Sequence, residues 1–315
     1  MANTATAKDS LVLAIDAGGT YFKSILVRMQ GEVLTESFFQ APSCSNGSRE
    51  NIIAAYQQVI RRGLQYAANN GCSICGIGIS TPGPFDYKQG MSLMQHKFQA
   101  IKNIPLRNEI FSLKLLPENL PIVFQQDVHS FLIGEQWTGV VKGTANVAAI
   151  TLGTGLGFAL MKDSKILDNG RGGPHTVIFN RPFEAGILED RISRRGIIEQ
   201  YCKYAACQGE NIDVHDIALK ARNEQDVAAR QVFMELGTIL AEELSEIFNS
   251  LAITEVVFGG QISKSFDLFA PAFKSTLHEK GIIINVVPTK NIEFSALVGT
   301  AKAVTNLIHK KDNPS

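Results

Sequence analysis

Two glycine-rich stretches of this chain carry the residue types that handle phosphate. Asp16-Ala17-Gly18-Gly19-Thr20 and Thr151-Leu152-Gly153-Thr154-Gly155-Leu156-Gly157 each interrupt an apolar run that resumes after the glycines. Glycine in such a turn lets the backbone take positive φ and lets a ligand approach closely. Successive main-chain N–H groups held that way form an anion nest. Neither stretch is a Walker A loop or a dinucleotide fingerprint, because the residues after the glycines continue as a strand rather than a helix. A carboxylate beside a phosphate nest is repulsive unless a cation lies between them, so Asp16 points to Mg²⁺ with its retained waters. A turn that merely closes a hairpin reads the same way over those five residues. Gly153, Gly155 and Gly157, at alternate positions in an apolar context, cost packing and signal close approach by something.

The elements that must position these turns repeat. Residues 11–34 read strand, glycine turn, strand, tight turn, strand, and residues 146–167 read alike, with Asp16 opposite Thr151 and Gly18 opposite Gly153. One antiparallel unit used twice gives this pattern, as would two unrelated domains that each open with a hairpin. Asn51 to Ala68 carries Ile52, Tyr56, Val59, Ile60 and Leu64 at helical spacing, and SICGIGIS follows as a short buried strand bounded by Thr81-Pro82-Gly83-Pro84. In the second half Val227 to Leu251 sets Val232, Phe233, Leu236, Leu240 and Leu244 on one face, and EVVF with Gly259-Gly260 follows. Strands mixed with helices in both halves indicate an α/β protein, with mixed sheets because each half opens on hairpins.

Length and charge narrow the partners. A chain of 315 residues is about two domains. Thirty basic residues balance thirty acidic ones, which leaves no basic footprint for nucleic acid and nothing to attract an anionic membrane. The start, MANTATAKDSLVLAID, has one lysine and an apolar stretch of about six residues, too short for a signal peptide. No run of roughly 18 apolar residues follows. The expected setting is therefore the cytoplasm. Cys44, Cys72, Cys75, Cys202 and Cys207 are odd in number and form no disulfide framework, and the lone Cys72-Ser-Ile-Cys75 runs into a strand, so free thiols are expected.

In order and spacing, DAGGT, TLGTGLG and VVFGG resemble the phosphate-1, phosphate-2 and adenosine motifs of the actin-like ATPase and sugar-kinase superfamily. More narrowly, GIGISTPGPFD, FQQDVHSFLIGE and a G-x-x-H followed by GILED resemble the ROK family of sugar kinases, repressors and open reading frames, over roughly residues 10 to 304. The resemblance implies two actin-like, ribonuclease H-like domains with mixed five-stranded sheets flanked by helices and an interdomain cleft. It places residues 1–124 and 296–315 in the first domain and 125–295 in the second, the last helix, from Ser295, returning to the first. It implies ATP and Mg²⁺, a sugar substrate and a homodimer.

It also distributes roles. Asp16 would hold Mg²⁺ through water; Gly18, Gly19, Thr20 and Lys23 would face the phosphates from one side, and Thr151, Gly153, Thr154 and Gly155 from the other. Gly259 and Gly260 would border the adenosine. Asp127 would take the proton of the attacking sugar hydroxyl, and Gly83, Gln126, Asp127, His175 and Glu189 would bind the sugar. Read alone, Asp127 is an N-cap for the next helix, His175 a turn residue after Gly172-Gly173-Pro174, and Glu189 an exposed helix position. Asn103 in KNIPL is a further loop residue within possible reach of the cleft. A free aspartate titrates near 4, so Asp127 is expected to be ionised at neutral pH.

Several departures surround the sugar rather than the phosphates. No cysteine lies between His175 and Glu189, where many relatives hold a C-x-C-G-x-x-G-C zinc site, so no structural zinc is expected. Gly172-Gly173-Pro174-His175 replaces G-E-x-G-H, Gln126 replaces the usual asparagine, and His96-Lys97-Phe98 stands where an asparagine–leucine pair is common. The leading expectation is an ATP:sugar phosphotransferase, hexokinase- or glucokinase-like. The alternative is a catalytically impaired sugar-binding or regulatory relative. With fifteen residues before Asp16, the helix-turn-helix that ROK repressors carry is not expected here.

Overall fold

The computed structural model of the chain describes residues 10–95, 97–207, 212–223 and 226–312. His96 and the first nine residues, both used in reading the sequence, lie outside them. The chain forms two compact units. The first holds the chain up to Thr138, the segment Asp168–Pro174 and everything from Glu293; the second holds Gly139–Leu167 and His175–Ile292. The division expected after residue 124 thus falls after Thr138, because the helix that starts at Asp127 packs on the carboxy-terminal helix of the first unit.

The first unit comprises β1 (Ser10–Ala17), β2 (Tyr21–Arg28), β3 (Val33–Pro42), α1 (Arg49–Asn69), β4 (Ser73–Thr81), a two-stranded ribbon of β5 (Phe85–Asp86) and β6 (Met91–Ser92), α2 (Leu106–Ser112), β7 (Ile122–Gln126) and α3 (Asp127–Trp137), with α9 (Ser295–Asp312) closing it. Its five-stranded sheet has the order β3-β2-β1-β4-β7, antiparallel across β3, β2 and β1 and parallel across β1, β4 and β7. Ser48 starts α1 by accepting from the Asn51 amide at 3.3 Å. The buried stripe of Ile52, Tyr56, Val59 and Ile60 then covers one sheet face. On the other face Leu297, Ala301 and Val304 of α9 pack against Val12, Ala14, Ile25 and Val27. The alternating glycines of β4 serve this second layer: a methyl on Gly76 would lie 2.4 Å from Val304 Cγ1, and one on Gly78 2.6 Å from the Thr300 carbonyl oxygen.

The second unit comprises β8 (Val147–Leu152), β9 (Leu156–Lys162), β10 (Lys165–Ile166), a ribbon of β11 (Pro182–Phe183) and β12 (Gly186–Ile187), α4 (Leu188–Ile192), α5 (Arg194–Tyr204), α6 (Val214–Asn223), α7 (Val227–Ser250), β13 (Glu255–Gly259), α8 (Phe266–Glu279) and β14 (Asn285–Pro288). Its sheet, β10-β9-β8-β13-β14, repeats the first in order and direction. Asp16 pairs with Ser80 of the next parallel strand, and Thr151 pairs with Gly259 of its own, so the two turns hold equivalent places. Asp226 caps α7 by accepting from the Ala229 amide at 3.0 Å, and the buried face of α7 joins Phe258, Phe269 and Phe273 in a single core.

Candidate functional site

The first unit gathers its polar residues where β1, β4 and β7 end. Asp16 closes the apolar part of β1, faces Lys23 across β2, and neighbours Ser80 on β4. Burial raises its carboxyl, while the Ser80 hydroxyl and the charge of Lys23 offset part of that rise. Lys23 also reaches Glu293 at 3.7 Å. The turn after β1 is pinned from below: the Gly19 carbonyl accepts from Ser43 Oγ at 2.8 Å and from Ser45 Oγ. Thr20 is exposed and its carbonyl accepts from the Ser43 amide at 3.0 Å.

Asp127 is the first residue of α3 rather than its N-cap, which is Gln126. Its Oδ1 accepts from the Val128 amide at 2.8 Å. The residue meets solvent, yet enough protein surrounds the carboxyl that desolvation, with a smaller push from Asp16, raises it to about 6; the Val128 amide and Lys97 pull the other way. Solvent access tempers that rise. The free-aspartate value expected from sequence is therefore too low, chiefly because the surrounding protein desolvates the carboxyl and secondarily because Asp16 lies near it. Gly83 is exposed and lies beside the Tyr87 hydroxyl, which donates to the Thr81 carbonyl at 3.2 Å. Asp127 in turn raises the Tyr87 phenol, behind the effect of burial. Gly83 and Asp127 thus flank one tyrosine.

Three buried polar atoms in the described residues have no hydrogen-bond partner: Ser80 Oγ, Gln126 Oε1 and His129 Nε2. All belong to this strand-end region. The Ser80 hydroxyl lies near enough to the Asp16 carboxyl to lower it but makes no hydrogen bond of good geometry. Burial holds the His129 ring neutral, at about 4, against the opposing pull of Asp168 and a hydrogen bond to the Gly172 backbone. Buried groups of this kind normally find partners, and each orphan costs roughly 1–3 kcal/mol.

In the second unit, Glu189 is half-buried rather than exposed. Its Oε2 accepts from the Leu156 amide at 2.7 Å and would lie 2.7 Å from a methyl on Gly155, so it braces the glycine turn from behind. His175 is exposed, its Nδ1 2.9 Å from Thr176 Oγ1. The structure brings Glu189 to Gly155 and leaves His175 on its own loop. Gly153 has open space where a Cβ would be, and with Thr154, Arg194, Asp213, His215 and Lys264 it lines a cavity of about 350 Å³. Gly260, at φ 79°, turns the chain out of β13; a methyl there would lie 2.2 Å from the Leu152 carbonyl oxygen.

The glycine arithmetic differs from expectation. Gly18, Gly19, Gly153 and Gly155 do not take positive φ; only Gly260 of the assigned glycines does. Crowding is the reason at three of the four: a methyl on Gly18 meets the Tyr21 carbonyl oxygen at 2.9 Å, one on Gly19 the Lys97 side chain at 2.8 Å, and one on Gly155 the Glu189 carboxylate. Sequence reasoning missed Arg194 and Asp213, whose places come from tertiary packing, and marked Lys97 only as part of the His96-Lys97-Phe98 departure, without a role.

The phosphate side fits what the turns require: an open Gly153, and a half-buried carboxylate in Asp16 at the end of β1. Among the described residues no group of three or more His, Cys, Asp or Glu side chains could hold a metal by itself, and the five cysteines are free. No helix there is long and apolar enough to cross a membrane.

Known proteins supply the context. A glucokinase of Thermotoga maritima is 26% identical over 330 residues, covering 94% of this chain and 98% of its own. A xylose repressor of Caldicellulosiruptor bescii is 24% identical, covering 91% of this chain and 74% of its own. The crystal structure of a ROK glucokinase from Streptomyces griseus, in complex with glucose and AMPPNP, superposes with a TM-score of 0.73 at 22% identity, over 93% of this chain and 98% of that one. Each unit accordingly has the actin-like fold. The ROK profile matches residues 12–306, nearly the whole chain, and the protein belongs to the ROK family.

Proposed function

We propose that this chain is an ATP-dependent sugar kinase that transfers the γ-phosphoryl group to a hydroxyl of a hexose or hexose derivative, with Asp127 as general base. The observation that carries this reading is the end of the first sheet, where Asp16 and Asp127 sit with the unpartnered Ser80 Oγ, Gln126 Oε1 and His129 Nε2. Two carboxylates near enough at one sheet end that Asp16 raises Asp127, with Asp127 open to solvent, form the charge arrangement that a base beside a phosphate site needs. Glucokinases and β-glucoside kinases among the relatives support a sugar as that molecule.

The phosphates are assigned to the two glycine turns, with Thr20, Lys23, Thr151 and Thr154 beside them, and the nucleoside to the cavity that Gln261 and Ile262, just after Gly259-Gly260, help to line. Asp16 is the residue that would hold Mg²⁺ through water; when bound, the ion neutralises charge on the transferring phosphates. Gly83, Gln126, His175 and Glu189 are assigned to the sugar. Asp127 accepts the hydroxyl proton late, as the oxygen–phosphorus bond forms, because a carboxylate is a far weaker base than an alkoxide. Most of the acceleration then comes from positioning and charge stabilisation.

The deciding experiment is a panel of hexoses, N-acylhexosamines and β-glucosides tested for sugar-dependent ADP release. Sugar binding without ADP release would instead make the chain a sugar-binding or regulatory member of the family. With an active sugar, kcat/KM follows ionised Asp127: the rate is flat well above pH 6 and falls about tenfold per unit below the carboxyl's value of about 6. A flat profile down to pH 4.5 would remove Asp127 as base.

Gly153 gives a second check. Its backbone is not left-handed and a methyl there meets no protein atom within 4 Å, so Gly153→Ala should melt like the native chain. The methyl would occupy space assigned to a phosphate, and overpacking predicts roughly tenfold weaker nucleotide binding by calorimetry.

A further inference from the structure

The cation that the sequence places near the first glycine turn is Lys23, but a second lysine lies closer to the glycines. The Lys97 side chain crosses the turn: its Cδ, Cε and Nζ would lie 2.8, 3.0 and 3.0 Å from a methyl on Gly19. Lys23 has Glu293 as an ion-pair partner, whereas Lys97 has no ion-pair partner within 4 Å among the described residues. Its charge instead bears on Asp127, whose carboxyl it lowers.

Lys97 is held there by its neighbour. Phe98 is buried, stacks on Phe22 at 5.8 Å, and takes the left-handed backbone at φ 54°, a conformation uncommon for a bulky residue. Its amide donates to the Ser45 carbonyl at 2.8 Å, and the Ser45 hydroxyl donates to the Gly19 carbonyl. One serine therefore ties the lysine's segment to the turn that the lysine covers. An exposed, unpaired ammonium fixed over a glycine turn and facing a carboxylate is suited to an anion that arrives between them.

We propose that Lys97 is a catalytic residue whose ammonium contacts the phosphoryl group as it passes to the sugar. This rests on the kinase reading above. In the step, the bond from the sugar oxygen to phosphorus forms and the bond from phosphorus to the β-phosphate oxygen breaks. The hydroxyl proton goes to Asp127 and ADP leaves. Lys97 neither gains nor loses a proton; it stabilises negative charge on the oxygens of the transferring group.

The test compares Lys97→Met and Lys97→Arg with the native chain, using the sugar that supports ADP release. Lys97→Met keeps the length of the side chain and should melt at the native temperature, with kcat lower by about 10²–10³-fold and sugar KM within about threefold. Lys97→Arg should retain an intermediate rate. The acid limb of kcat/KM should also move to higher pH in Lys97→Met, because Asp127 then faces Asp16 and the Tyr87 phenol without an opposing cation. A merely structural lysine would not move that limb. A Lys97→Met enzyme with native kcat, or one that is slower but has an unmoved acid limb, overturns the assignment. A native chain that phosphorylates none of the sugars overturns the kinase reading, and this assignment with it.

Discussion

Replacing Asp127 by asparagine is expected to slow sugar phosphorylation by about 10²–10⁴-fold while sugar affinity stays within a few fold. Asparagine keeps the shape of the side chain and an oxygen able to accept from the Val128 amide, so the start of α3 is preserved. What it loses is the capacity to take a proton. It also removes the repulsion between Asp16 and Asp127, one of the causes that raise the native carboxyl. The variant should therefore fold at least as well as the native chain, and a thermal melt run beside the kinetics separates lost chemistry from lost structure. Calorimetry with the sugar completes the comparison. Near-native turnover in Asp127→Asn would show that the proton goes elsewhere, and His129, neutral and two residues further along α3, would become the group to examine.

The duplicated hairpins were legible because their signals are local. Apolar runs fixed β1, β2, β8 and β9, and the glycines between them marked both turns. The reason for the glycines was not local. Gly19 is small because Lys97, almost eighty positions later, lies on it, and Gly155 because Glu189 does. Likewise, GIGIS announced a buried strand, yet Gly76 and Gly78 are glycines because α9, from the far end of the chain, crosses them. The division that the resemblance implied, after residue 124, differs from the compact units for the same cause: α3, into which β7 leads, is held by α9. Asp127 was found through the order of motifs; its raised carboxyl comes mainly from desolvation by the packed protein, with a smaller push from Asp16, and could not be read from FQQDVHS. Glu189, an exposed helix position when read alone and a sugar ligand by resemblance, also holds the Leu156 amide, a contact no local signal announces.

The largest stability effect should come from Gly299→Ala. Alanine favours a helix over glycine by about 1 kcal/mol, so on an isolated α9 the change would help. Here the new methyl would lie 1.7 Å from the Ser130 carbonyl oxygen of α3, and the reciprocal position, Gly134, would set a methyl 1.9 Å from the Ser295 carbonyl oxygen. Both neighbours are backbone, which cannot swing aside as a side chain would. The helices must separate, and that strains the Ser295 hydroxyl bond to Glu135 and lifts Leu297, Ala301 and Val304 from the sheet. Overpacking costs about 1–3 kcal/mol where side chains can adjust, and more is expected where backbone meets backbone. The net loss should be about 2 kcal/mol or greater, lowering the melting temperature of the first unit by about 4–8 °C. Denaturant titration with a probe at Trp137, which packs with this face of the first unit, would register the change directly. An unchanged midpoint would mean that α3 and α9 do not cross as closely as the small residues of SALVGT require.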